Sequence, residues 1–199
     1  MAPIRRRFSG MLAVSLLLVL AACSSTISRS TPAEQNYGRL PPIVLDVAAI
    51  EINETYQPPL KEPHVEHSFP TPPDEAFRKW VGERLKARGE GRTLRITINE
   101  ASAVRVPLEA ETGLSALFTK EQVERIDARL GVLMEILDGH GLPVAHVSAL
   151  SERSRTLPEG LTLNDRDQVY REITIALIND LNTTIEQNLR EHLANYVKQ

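Results

Sequence analysis

The stretch QVERIDARLGVLMEIL, Gln122 to Leu137, followed by Asp138-Gly139-His140-Gly141, decides the fold. Ala128, Leu130, Val132, Met134 and Ile136 fall at every second position, the side-chain period of a strand. Just upstream, Thr119-Lys120-Glu121-Gln122 has the form of a capping box, which would open a helix over the same residues. The turn arbitrates. After Gly141 the run Val144 to Ser154 returns with Ala145, Val147 and Ala149 on one face, and a hairpin accounts for the turn and both alternations. The strand reading is preferred; the helix alternative stays open, because short apolar runs fit either period.

Upstream, Leu94, Ile96 and Ile98 alternate with Arg95, Thr97 and Asn99, a half-buried strand that extends through Val104 and Val106. Glu109 to Phe118 reads as a loop. Thr71-Pro72-Pro73-Asp74 reads as a helix start with threonine at the cap. Phe77, Trp80, Val81 and Leu85 follow at helical spacing, and Gly89 and Gly91 close the helix. Ile43 to Tyr56 is a strand whose apolar phase shifts midway, which implies a bulge or burial on both faces at its start. Gln57 to Pro73 holds six prolines and reads as an extended surface loop, since proline removes the ladder donor and fixes φ. Downstream of the hairpin, Thr156 to Leu163 is a loop. Val169, Ile173, Leu177, Leu181, Ile185, Leu189 and Leu193 then stand at four-residue steps, a helix of about thirty residues and ~45 Å. Such a stripe slips round the helix, so its first half is expected on the sheet and its second half to overhang. The predicted order is β-α-β-β-β-α. That is an α+β fold: a mainly antiparallel sheet with two helices packed on one face, the C-terminal one long.

The chain begins with Arg5-Arg6-Arg7, an apolar run from Met11 to Leu20, and Leu20-Ala21-Ala22-Cys23. Charge, apolar core and small residues in that order make a secretory leader. The apolar run is shorter than the ~20 residues that span a bilayer. Leu20-Ala21-Ala22-Cys23 resembles the bacterial lipobox. The resemblance implies cleavage before Cys23, a diacylglycerol on its thiol and an acyl chain on its new amino end. Two or more chains anchor stably. Serine rather than aspartate at position 24 implies the outer membrane. Residues 1–22 are thus a signal peptide, 23–42 a lipidated cysteine and flexible tether, and 43–199 a periplasmic α+β domain. Fully extended at ~3.3 Å per residue, the tether reaches at most about 60 Å.

The full chain has 23 Lys+Arg against 26 Asp+Glu. Removing the three leader arginines leaves 20 against 26, a formal charge of −6. An acidic body lacks the electrostatic footprint of a nucleic-acid binder. Cys23 is the only cysteine, so its lipidation excludes disulfides, thiolate metal sites and a catalytic thiol from the body.

No Gly-x-Ser-x-Gly elbow is present, and Gly89-Glu90-Gly91 and Gly139-His140-Gly141 lack phosphate-loop spacing. Pro63-His64-Val65-Glu66-His67 offers zinc donors in His64 and His67. A site needs three or four ligands, however, and His140, His146 and His192 fall in separate elements, so no metal and no cofactor is expected. Glu152-Arg153-Ser154-Arg155-Thr156-Leu157-Pro158 carries Arg153 and Arg155, either a dock for an acidic partner or a solvated crossover.

With its lipobox, Ser/Pro tether, early strand, helix, further strands with a Ser/Arg-rich crossover and long terminal helix, the chain resembles small bacterial envelope lipoproteins. It is similar in layout to the YajG-like lipoproteins and to the PqiC-like auxiliary lipoproteins of ABC-type transport systems. The proline-rich segment 57–73 departs from that pattern. The resemblance implies a non-enzymatic accessory or scaffold subunit in envelope assembly or lipid transport. It would be held at the periplasmic face of the outer membrane and act by contact with a protein partner. The expected partner surface is the exposed part of the terminal stripe (Leu181, Ile185, Leu189, Leu193) with Arg153 and Arg155. Carriage of a lipid or cell-wall fragment between sheet and helices is the alternative, and metal binding through His64 and His67 a third. Assembly with further copies of itself stays open.

Overall fold

The computed structural model describes residues 36–108 and 122–198. The leader, Cys23, the tether as far as residue 35, the loop 109–121 with its capping-box residues, and Gln199 lie outside the described residues.

The hairpin resolves as two strands: β6 (Gln122–Leu137) and β7 (Pro143–Pro158) pair antiparallel along their length. Ile126, Ala128, Leu130, Val132, Met134 and Ile136 are buried without a break in parity. Arg125, Asp127, Arg129, Leu133 and Glu135 occupy the opposite face. The turn is tied by Asp138, whose Oδ1 accepts from His140 N–H at 2.8 Å and Leu142 N–H at 2.9 Å. Gly141 supplies the positive φ of 80° that the turn requires.

On its other side β6 pairs with β4 (Thr93–Glu100) over Gly131–Leu137 and with β5 (Ala103–Pro107) over Glu124–Ala128. The two are one bent strand, as the run through Val104 and Val106 predicts. The bend falls at Ala101-Ser102, where Arg129 N–H donates to Ser102 O at 2.8 Å. β2 (Ala49–Glu54) lies parallel to β4. A second, three-stranded sheet joins β3 (Leu85–Ala87), β1 (Ile43–Leu45) and β8 (Val197–Lys198), with β1 in the middle.

Several boundaries differ from the sequence reading. Ile43–Tyr56 is two strands in two sheets, because the chain turns between Leu45 and Ala49 and buries Leu45 and Val47 completely. Gly89 lets that crossing happen: a Cβ there would stand 2.3 Å from the carbonyl carbon of Asp46. α1 spans Pro73–Arg84 with Pro72, not Thr71, at its cap. The Thr71 carbonyl instead accepts from Thr174 Oγ1 at 3.1 Å. The helix stops before Gly89 because Leu85 turns extended, and Leu85–Ala87 pairs with β1. The proline-rich segment is not merely surface. Val65 N–H donates to Ala103 O, and Arg105 N–H to Pro63 O, both at 2.8 Å, so it covers the free edge of β5. Phe69 is buried behind it, stacked on Tyr170 at 4.3 Å.

α2 spans Leu163–His192, capped by Thr162, whose Oγ1 accepts from Asp165 N–H at 3.2 Å. It runs antiparallel along β7, joined by Arg155–Glu172, Ser151–Asp180 and Asn188–Ser148 contacts. A 30-residue helix spans ~45 Å and a 16-residue strand ~54 Å, so the helix is covered to its end and nothing overhangs. α1 packs against α2, and the apolar side chains of both helices join the inner face of the sheet in one core. The class is the expected α+β, with two helices and mixed sheets.

Candidate functional site

The α1–α2 seam carries an unusual amount of polarity for a core. Trp80 Nε1–H and Arg84 Nε–H both donate to Asn182 Oδ1, at 3.0 and 3.2 Å. Arg84 also donates to Glu186 and to the Pro41 carbonyl, and Asn182 Nδ2 donates to Glu186 Oε1 at 3.1 Å. Arg84 is 3% exposed; its charge is tolerated there because every direction of the guanidinium meets an acceptor. Tyr37 OH donates to Asn179 Oδ1. Residues 36–42 are therefore strapped across the helix pair from both ends.

Beside the strap lies a groove of about 320 Å³. Ala76, Trp80, Ile175 and Ile178 form its apolar floor, and Tyr37 stands at its wall. Glu75 and Glu83 on α1 and Arg171 on α2 stand at the rim, and no ion pair engages these three among the described residues. An apolar slot with a few polar groups converging on it is the usual form of a binding site. Here Glu75, Glu83 and Lys79 line the α1 wall and Arg171 the α2 wall. Sequence reading missed the groove because Trp80 and Ile178 carry only the signature of core residues. Arg171 gave no signal either, since it stands on the face of the helix turned away from Val169 and Ile173 and reads as a solvated cation.

The residues singled out from sequence do not converge here. Leu181, Ile185, Leu189 and Leu193 are 0–2% exposed. This corrects their assignment to a partner surface, because α2 lies against β7 along its whole length and turns that stripe into the core. Arg153 pairs with Asp180, and Arg155 lies 3.5 Å from Glu172, so both arginines fasten β7 to α2. His64 Nδ1 is 3.7 Å from Glu66 Oε1, and His67 is exposed on the short turn Glu66–Ser68. No group of three or more potential metal ligands occurs among the described residues. Glu66 is 3% exposed and is occupied otherwise: it accepts from Tyr56 OH at 3.0 Å and Ala103 N–H at 3.2 Å. Burial, together with this carboxylate, pushes the Tyr56 hydroxyl pKa far above the usual tyrosine value.

Elsewhere, burial raises the Glu54 pKa, opposed by Arg78. The bond from Arg125 lowers that of Asp127.

No protein-family model matches the chain, and no curated protein matches it. Among solved structures it is similar to a minor lipoprotein from Acinetobacter baumannii, at 14% identity, covering 79% of this chain and 99% of that one with a TM-score of 0.38. It is also similar to a Xanthomonas campestris protein of the DUF330 family, at 14% identity, covering 75% and 86%, with a TM-score of 0.31. Values of this size describe a loosely shared outline. No helix among the described residues is long and apolar enough to cross a membrane.

Proposed function

We propose that the chain is a lipoprotein anchored through Cys23 to the periplasmic face of the outer membrane. In this reading it is a non-enzymatic accessory subunit in envelope assembly or lipid transport. The observation that carries a binding role is the α1–α2 groove, an apolar floor rimmed by Glu75, Lys79 and Glu83 on one wall and Arg171 on the other. A partner segment with an aliphatic body and charges of both signs fits it. The leader ending at Leu20-Ala21-Ala22-Cys23 supports the anchor.

Two measurements test this. Mass spectrometry of the membrane-extracted protein is expected to show a chain beginning at acylated Cys23; an unmodified Cys23 overturns the anchor. Reversing the groove charges with Arg171→Glu, or filling the slot with Ala76→Trp, is expected to shrink the native-size complex extracted from envelopes while leaving the fold intact. An unchanged complex removes the groove from the account.

The same groove favours a second reading, in which it holds a lipid or cell-wall fragment. Native mass spectrometry of protein purified without detergent then shows a bound small molecule that the Ala76→Trp chain lacks.

A further inference from the structure

The main sheet treats its edges unequally. The outer edge of β7 is roofed by α2, with Asn188 Nδ2 donating to Ser148 O at 2.8 Å. The outer edge of β5 is covered by Pro63 and Val65. β2 has no strand beyond it among the described residues. Ala49, Glu51, Asn53 and Glu54 are exposed, and Ile52 keeps 37% of its surface in solvent. β8 follows the same edge only as far as Asp46, whose N–H donates to Tyr196 O at 2.8 Å.

The ladder says which groups are open. Ala48 N–H donates to Arg92 O at 2.8 Å. In a parallel ladder alternate residues bond to one neighbour, so Ile50 and Ile52 continue toward β4 while Ala49, Glu51 and Asn53 turn N–H and C=O outward. Six residues make a seam of ~20 Å. Exposed, unpaired backbone of this kind is a template for another strand.

We propose that the strand it accepts is β2 of a second copy of this chain, antiparallel, about a two-fold axis at Ile52. Outward-facing groups must meet outward-facing groups, which admits axes centred on a residue: Ile50, Glu51 or Ile52 near the middle of the strand. An axis at Asn53 would set Glu51 against Thr55, whose N–H donates to Ile98 O at 3.0 Å. An axis at Glu51 sets two glutamates directly opposite, a repulsive pairing. An axis at Ile50 sets Glu54 of the second copy directly against Asp46, two carboxylates, at the point where β8 already lies on this edge through the Asp46 N–H to Tyr196 O bond. The axis at Ile52 sets Glu51 against Asn53 of the second copy and Ile52 against Ile52, covering the exposed isoleucine of each. Ile50 then meets Glu54, whose carboxylate is held by Arg78 at 3.1 Å. Such a contact is isologous and closed. The covered edges of β5 and β7 stop it from propagating.

Six residues a side fall short of the ~20–30 a side of a standard interface, so the pairing is weak in free solution and depends on concentration. The anchoring proposed above confines copies to one surface and raises their effective concentration.

The full mature protein in detergent micelles tests the pairing. Sedimentation across a wide concentration range is expected to show reversible monomer and dimer. Asn53→Pro removes one outward donor, a substitution edge strands accept. It is expected to weaken the dimer tenfold or more with the circular dichroism spectrum unchanged. Under mild oxidation Ile52→Cys is expected to form a disulfide dimer, because directly opposed non-hydrogen-bonded residues place Cα atoms ~4.5 Å apart, within disulfide range. Glu51→Cys and the unsubstituted chain are not; the latter reports anything Cys23 contributes. Cross-linking at position 51 in place of 52, a monomer at every concentration, or a dimer indifferent to Asn53→Pro each overturns the proposal.

Discussion

The indole Nε1–H of Trp80 and the side chain of Asn182 meet at 3.0 Å across the α1–α2 seam, 102 residues apart in sequence. Asn182 Oδ1 also takes Arg84 Nε–H, so one amide oxygen satisfies two buried donors. Leaving such donors without a partner costs ~1–3 kcal/mol each, more when one is charged. Asn182→Ala is therefore expected to destabilise the protein by about 2–4 kcal/mol. Urea unfolding followed through Trp80, the single tryptophan, measures it. A loss below about 0.5 kcal/mol would show that water replaces the amide.

Three glycines separate backbone crowding from helix propensity. A Cβ on Gly82, inside α1, meets nothing within 4 Å, so Gly82→Ala is expected to stabilise by ~0.5–1 kcal/mol. A Cβ on Gly131 would lie 2.8 Å from Asn99 Oδ1 and 3.1 Å from Glu100 Cβ. The asparagine can swing away, and a cost of ~1–2 kcal/mol is expected. At Gly89 the obstacles include backbone: the Asp46 carbonyl carbon at 2.3 Å and Val47 nitrogen at 2.5 Å. Gly89→Ala must therefore move β1 away from β3. Chemical denaturation of the three variants is expected to rank them in that order.

What could be read without coordinates was what repeats locally. The period-two run to Ile136 and the four-residue steps to Leu189 each specify an element whatever surrounds it. The two-sheet crossing at Asp46 could not be read that way, since both halves of Ile43–Tyr56 look like one strand until Gly89 and Tyr196 are placed beside it. Nor could the fate of the terminal stripe, which depended on how far β7 extends beneath it. Arg153 and Arg155 were conspicuous in sequence because their acidic partners, Asp180 and Glu172, lie 27 and 17 residues away. The α1–α2 groove is a property of two helices and a strap together, and no single segment announces it.

Acid should loosen the C-terminal strand first. Asp46 accepts from Lys198 of β8 at 3.0 Å and from Arg92 at 3.0 Å, and the Lys198 bond lowers its pKa below the usual aspartate value. A carboxyl whose folded pKa is depressed contributes stability fully above its unfolded pKa, ~3.9, and loses it as pH falls through the lower folded value. Amide exchange at Val197 and Lys198 is thus expected to speed up below about pH 4 relative to β6, after correction for intrinsic rates. In Asp46→Asn that pH step disappears. A step that survives the substitution assigns it to another carboxylate.

Glu66 decides whether the proline-rich segment stays on the sheet. Its two oxygens accept from Tyr56 OH and Ala103 N–H, and the same segment also reaches β5 through backbone bonds at Pro63 and Val65 and through the Glu62–Arg105 ion pair at 2.6 Å. Glu66→Ala leaves the buried Ala103 amide unpaired and opens a void behind Val65, an expected loss of ~2–3 kcal/mol. Glu66→Gln keeps one acceptor for Ala103, and the Tyr56 hydroxyl can reverse to accept from the new amide, so its cost should stay below ~1 kcal/mol. The two substitutions part most clearly in limited trypsin digestion. Exposed Lys61 lies in this segment, and cleavage after it requires the chain to lift from β5. Faster cutting is expected in Glu66→Ala and near-native rates in Glu66→Gln. Equal rates in both would mean that the backbone bonds at Pro63 and Val65 and the Glu62–Arg105 pair hold the segment without the Glu66 carboxylate.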